Sequence, residues 1–163
     1  MDINGKKAVV FGGTSGIGLA TCQELQGHGA DVVAVSRSPN KDGTLIDGVR
    51  LAAVDARDSR AVSAFFESQG KIDILISSAT GGSRAFGPFL EMDIDGFKGS
   101  FDKLWGYSNV VRYGTAKLGN DGCIVLVSGT PARKMKPGQV ALSAVGGAVE
   151  ALARAIAPEI APK

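Results

Sequence analysis

The sequence predicts a doubly wound parallel α/β sheet of about five strands with helices on both faces, built as a single domain. Three observations carry that prediction. Short β-branched apolar runs alternate along the chain with longer segments of helical spacing. The runs are apolar at consecutive positions, as strands covered on both faces require. A glycine-rich turn joins the first run to the first helical segment. Strand and helix in strict alternation give a parallel sheet, because each parallel connection needs a crossover to carry the chain back.

Ala8 to Phe11 is the first strand, closed by Gly12 and Gly13, and Ile17, Thr21 and Leu25 mark a helix that runs to about Gly29. Asp31 to Val35 is the second strand, ending at Ser36, Arg37 and Ser38, and Val49 to Val54 the third, ending at Asp55. A helix from about Ser59 to Ser68 leads into Ile72 to Ile76, after which a glycine- and proline-containing loop follows the fourth strand. Glu91 to Leu118 reads as mostly helical, although its four glycines weaken the helix by roughly 1 kcal/mol each relative to alanine. Cys123 to Val127 is the fifth strand, and Gly138 to Ala157 an alanine-rich helix.

Composition narrows the function classes. The 163 residues fit one domain, and 44% apolar with 21% charged residues suffices for a core. Eighteen basic against 16 acidic residues form no run of like charge, so no nucleic-acid partner is expected. One histidine and two cysteines, Cys22 and Cys123, without C-x-x-C spacing supply no metal ligand set, and both thiols read as reduced, buried, small apolar groups. The N-terminus lacks the apolar core of a signal peptide and no stretch reads as long enough to cross a bilayer, so the expectation is a cytoplasmic protein without a membrane partner.

The turn Gly12-Gly13-Thr14-Ser15-Gly16-Ile17-Gly18 lies between a strand and a helix, the context that a dinucleotide-binding turn of a Rossmann-like fold requires. Gly12 permits the tight turn, Gly16 admits a pyrophosphate to the backbone N–H groups, and Gly18 lets the helix approach the sheet. A tight turn without a ligand is the alternative. An acidic residue at the end of the second strand would favour NAD through the ribose 2′-hydroxyl. Ser36-Arg37-Ser38 stands there instead, and the arginine fork with two hydroxyls suits the 2′-phosphate of NADP(H), unless Arg37 is simply solvated at a loop tip.

FGGTSGIG resembles the glycine signature of the short-chain dehydrogenase/reductase family, and the resemblance runs along the whole chain. Asp55, with Ala56 after it, stands where that family's third strand ends in an aspartate beside the adenine. Ser78, Ala79 and Thr80 within ISSAT occupy the place of its Asn-Asn-Ala-Gly stretch, and IVLVSG resembles the strand ending in the catalytic serine, here Ser128. The resemblance implies hydride transfer between a nicotinamide and a carbonyl or alcohol, and a homodimer or homotetramer joined through the last two long helices. The small residues Ala141, Ala144, Val145, Ala148, Ala151, Leu152 and Ala155 recur at helical spacing on the final helix and suit such a contact.

Two departures qualify the resemblance. The family's Tyr-x-x-x-Lys pair falls on Leu142 and Gly146, and no tyrosine follows Tyr113. Tyr113-x-x-x-Lys117 spells the motif, but it precedes the serine strand at the wrong end of its helix. Lys103, or Leu104 by a shift of one, stands in place of the family's helix asparagine. Lys103 and Tyr107 share a helix face, so they read either as a replacement acid pair, with the phenol's pKa lowered by the ammonium, or as helix packing. Arg133, Lys134 and Lys136 form a basic loop after Ser128, either a seat for an acidic substrate or a solvated surface. The second departure is that five strands are counted where the full dinucleotide-binding sheet has about six. The expectation is a portion of a longer chain, or a short member completed by another subunit, with the fifth strand as an exposed edge.

Overall fold

The computed structural model describes residues 2–39 and 47–161. Its ten main elements follow the order β1 (Lys7–Phe11), α1 (Gly16–Gly27), β2 (Asp31–Ser36), β3 (Arg50–Ala53), α2 (Ser59–Glu67), β4 (Ile72–Ser77), α3 (Ile94–Ser100), α4 (Asp102–Gly114), β5 (Leu118–Leu126) and α5 (Val140–Ile160). The strands form one parallel sheet in the order β3-β2-β1-β4-β5. The strand order reverses between β1 and β4, so their carboxyl ends diverge and open a crevice.

Alternation along β1 divides the core into two layers. Val9 and Phe11 face α2 and α4, where they meet Val33, Val35, Val62, Phe66, Leu75 and Val110. Ala8 and Val10 point to the other face, with Cys22 of α1, Val32, Ala34, Ile74 and Ile76. Phe11, Phe65 and Phe66 pack as an aromatic cluster with centroids 5.3 to 5.7 Å apart. Asp58 caps α2 by accepting from the N–H groups of Arg60 and Ala61, and Asp93 caps α3 in the same way. Burial raises the Cys22 thiol to about 11, so it behaves as a small apolar group. Cys123 is only half-buried.

Four sequence expectations need correction. The single helix read over Glu91 to Leu118 is two helices that meet at Phe101, with single 3-10 turns at Phe89–Glu91 and Thr115–Lys117. The fifth strand begins at Leu118, five residues early, because Leu118 pairs with Ile72 and Cys123 with Ile74 around an irregularity that takes up the intervening glycines. The expectation that no segment is apolar enough to span a bilayer fails for the 21-residue α5, in which an 18-residue window reaches a mean hydropathy of 1.5. Its valines, leucines and isoleucines supply most of that apolarity, and Ala141, Val145, Gly146 and Val149 of this helix are buried in the fold. Cys123 is the fourth, since its strand is an edge of the sheet and leaves the thiol partly uncovered.

Phe66 is 1% exposed and touches both Phe11 and Phe65. Phe66→Ala should lower unfolding free energy by about 3–5 kcal/mol in urea titration; a loss near zero would contradict this layer as the main core.

Candidate active site

A cleft of about 550 Å³ runs along the carboxyl ends of β1 to β5. Its first wall is the glycine turn. Gly12 has φ +81°, and a Cβ there would stand 2.6 Å from the Ala79 nitrogen, so the β1 and β4 turns are in backbone contact. A Cβ on Gly18 would collide with the Gly12 carbonyl oxygen and the Ser78 hydroxyl. Gly16, at φ +50°, faces open space instead. Ser15 precedes α1 in an extended conformation without a side-chain capping bond, and the first-turn N–H groups have no intrahelical acceptor. An anion at this helix start would meet those donors and the positive end of the helix dipole.

The second wall lies at β2 and β3, whose carboxyl ends are paired at Ser36 and Ala53. The Ser36 hydroxyl is buried without a hydrogen-bond partner, and Arg37 beside it is exposed on the same wall. Ser38 is exposed and does not line the cleft. Asp55 lines the cleft but is held by Arg57, which donates from Nε at 3.0 and 3.2 Å and from Nη2 at 2.7 Å. Arg57 also donates from Nη1 to Asp102 on α4 at 3.1 Å. The bond from Arg57 holds the Asp55 carboxyl below its usual range, with a smaller contribution from the charge of Arg37. Ala56 is buried against Gly106, and Ser78, Ala79 and Thr80 form the floor across from it. A buried orphan hydroxyl, an adjacent arginine without an ion-pair partner among the described residues and an uncapped helix start together fit a phosphorylated dinucleotide.

The opposite end holds Ser128, Gly129, Pro131, Leu142, Val145 and Gly146. Ser128 donates from its hydroxyl to the Gly146 carbonyl at 3.1 Å, with the Glu150 carboxylate at 3.4 Å as a second acceptor. Arg133 in turn donates from Nε to both Glu150 oxygens at 3.1 and 3.2 Å, tying the loop after β5 to α5. A Cβ on Gly146 would lie 2.8 Å from the Ala132 Cβ and 3.4 Å from the Ser128 hydroxyl. Neither a lysine nor any other side chain has room at that position.

Of the proposed acid pair, only Lys103 reaches the cleft. Burial lowers the pKa of its ammonium, and the nearby Arg84 charge lowers it further. Tyr107 is fully buried and donates its hydroxyl to the Val127 carbonyl at 3.0 Å, with Lys103 Nζ over its ring at 5.3 Å. Burial pushes its pKa above the ordinary range, the opposite of the lowering expected from a neighbouring ammonium. The phenol therefore sits behind the wall of the cleft. Tyr113 packs on the core, and Lys117 lies in the 3-10 turn before β5; neither lines the cleft. Arg57, Asp102 and Glu150 were not singled out in the sequence; as isolated charges on loops and helix ends they carry no periodic signal. Among the described residues no cluster suits a metal ion.

Sheet order, crevice and glycine turn together define a doubly wound α/β protein with a nucleotide-type cleft at the carboxyl ends of its strands. The family model described as short chain dehydrogenase matches residues 6–163. The chain belongs to the short-chain dehydrogenase/reductase family. It is 31% identical over 169 residues to L-xylulose reductase of Mesocricetus auratus, across 99% of this chain and 68% of that one. A short chain dehydrogenase from Burkholderia cenocepacia in complex with NADP superposes with a TM-score of 0.89 at 26% identity, across 99% of this chain and 69% of that one. A small-chain dehydrogenase in complex with NADPH does so at 0.78 and 29% identity, across 98% and 67%.

Asp55 has its pKa lowered in the fold, so the pair with Arg57 stabilises above the unfolded carboxyl value of about 3.9 and fades as pH falls through the lower folded value. Asp55→Asn should therefore be less stable than the parent at pH 6, with the gap closing towards pH 3 in urea titrations. A gap independent of pH would contradict the pairing.

Proposed function

We propose that this chain binds NADP(H) in the cleft, and that its oxidoreductase chemistry on a carbonyl or alcohol runs with a weakened proton supply. The observation that carries the cofactor reading is the buried, unpartnered Ser36 hydroxyl beside Arg37, with no carboxylate closing β2. The relatives bound to NADP and NADPH support the same assignment. Gly12, Thr14, Ser15, Gly16, Ile17 and Gly18 would hold the pyrophosphate, and Ser36 and Arg37 the 2′-phosphate, with Ser38 outside the cleft. Asp55, Ala56, Ser78, Ala79 and Thr80 would flank the adenosine. A bound nicotinamide donates or accepts the hydride.

The chain's own part is to fix the substrate oxygen and manage its proton, and here the site is poorly equipped. A developing alkoxide needs a matched acid. Leu142 has no proton to give, Gly146 has no side chain, and the Ser128 hydroxyl is directed to α5. Lys103 is the ionisable cleft group whose depressed pKa brings it nearer to neutral proton transfer. A second reading, an NADP(H)-binding sensor or interaction module without turnover, is favoured by the burial of Tyr107 and its bond to Val127. The cytoplasm remains the proposed compartment.

We also assign self-association to the outer side of α4 and α5. Ala141 and Val145 of the small-residue face are used by the core, but Ala151 and Ala155 are exposed, as is Trp105 at 61%. Light scattering should give a dimer or tetramer; a monomer at high concentration would contradict this.

In calorimetric titration the parent should bind NADPH more tightly than NADH, and Arg37→Ala should weaken NADPH far more than NADH. Tighter NADH binding by the parent would contradict the cofactor assignment. NADPH oxidation with a panel of simple ketones should be slow or absent, and Ser128→Ala should change it little. Any turnover should be lost in Lys103→Ala and retained in Tyr107→Phe. Fast reduction that survives Lys103→Ala would refute the account of the proton source.

A further inference from the structure

Arg57 occupies a position with more consequence than an ordinary surface arginine. It leaves the sheet at the carboxyl end of β3, next to the end of β2 that carries Arg37, since Ser36 and Ala53 are register partners. Both arginines line the cleft and the polar crevice that adjoins it. A guanidinium has five N–H groups in a fixed fork. Asp55 engages Nε and Nη2, and Asp102 engages Nη1, which leaves one N–H on each terminal nitrogen. The loop backbone is fixed as well, because Asn109 of α4 donates from Nδ2 to the carbonyls of Ala56 at 3.0 Å and Arg57 at 3.3 Å. An arginine held in this way loses little freedom on meeting a ligand, so its remaining donors are preorganised.

We propose that Arg57 is a second determinant of preference for a 2′-phosphorylated dinucleotide, its two remaining N–H groups seating that phosphate together with Arg37 and the Ser36 hydroxyl. This rests on the NADP(H) reading above and adds a residue to it. The two arginines have different roles. Asp55 and Asp102 offset the charge of Arg57, so it contributes directed hydrogen bonds, whereas Arg37 has no carboxylate bonded to it among the described residues and contributes the net attraction. Binding lost with Arg37 should therefore be strongly salt-dependent, and binding lost with Arg57 much less so.

The test is calorimetric titration of the parent, Arg57→Gln and Arg57→Lys with two pairs of probes. The pairs are NADPH with NADH, and adenosine 2′,5′-bisphosphate with 5′-AMP. The readout is the affinity ratio within each pair, in which any loosening of the loop after β3 cancels because it weakens both members. Arg57→Gln should cut the ratio about tenfold, the scale of a charge-assisted hydrogen bond. Arg57→Lys, which keeps the charge without the fork, should cut it by less and supplies the test if the glutamine variant fails to fold. Thermal unfolding without nucleotide checks that each variant is folded. An unchanged ratio in the folded variants would overturn the role of Arg57 while leaving the cofactor reading intact. A parent that binds neither member of either pair would overturn both.

Discussion

The Gly12 carbonyl oxygen and Gly18 approach each other so closely that no side chain can intervene, and the site depends on that approach. It seats α1 directly on the end of β1, which aims the first-turn N–H groups along the crevice between β1 and β4. Gly12 repeats the constraint on the other side, against the backbone of Ala79. Two glycines thus set where a helix, two strands and a loop converge. The parallel order β3-β2-β1-β4-β5 then distributes the remaining wall residues, because each strand ends at the same edge of the sheet.

The same economy of space recurs at the far end of the cleft. Ala132 and Ser128 press on Gly146, while Arg133 fastens the loop to Glu150 of α5. Any side chain added at Gly146 would meet Ala132 first. At the β2–β3 end the wall is polar and electrostatically arranged, with Arg57 bridging the loop after β3 to the start of α4.

The sheet and its nucleotide face were legible because β-branched runs and glycine turns are local signals with steep steric meaning. Gly12, Thr14 through Gly18, Ser36, Arg37, Asp55 and Ser78 through Thr80 line the cleft, and Gly13 and Ser38 do not. What was not legible depended on orientation. An i, i+4 spacing puts Lys103 and Tyr107 on one side of α4 but says nothing of which end of that side reaches the cleft. Lys103 lies in the first turn and does; Tyr107, one turn further, is enclosed beneath Val127. The early start of β5 was hidden by Gly119 and Gly122, which suppress the apolar pattern of an edge strand. Partners such as Asp102 and Glu150 are set by tertiary contacts between residues far apart in sequence, which no local pattern records.

The central claim, that the convergence at Gly12 and Gly18 holds the cofactor's phosphates, is tested most directly by following backbone amide resonances of 15N-labelled protein as NADPH is added. The account predicts saturable shifts concentrated at Ser15 to Gly18 and at Ser36 to Ser38, with the amides of α2 and the far end of α4 little moved. Shifts absent from the glycine turn, or confined to another part of the sheet, would contradict it.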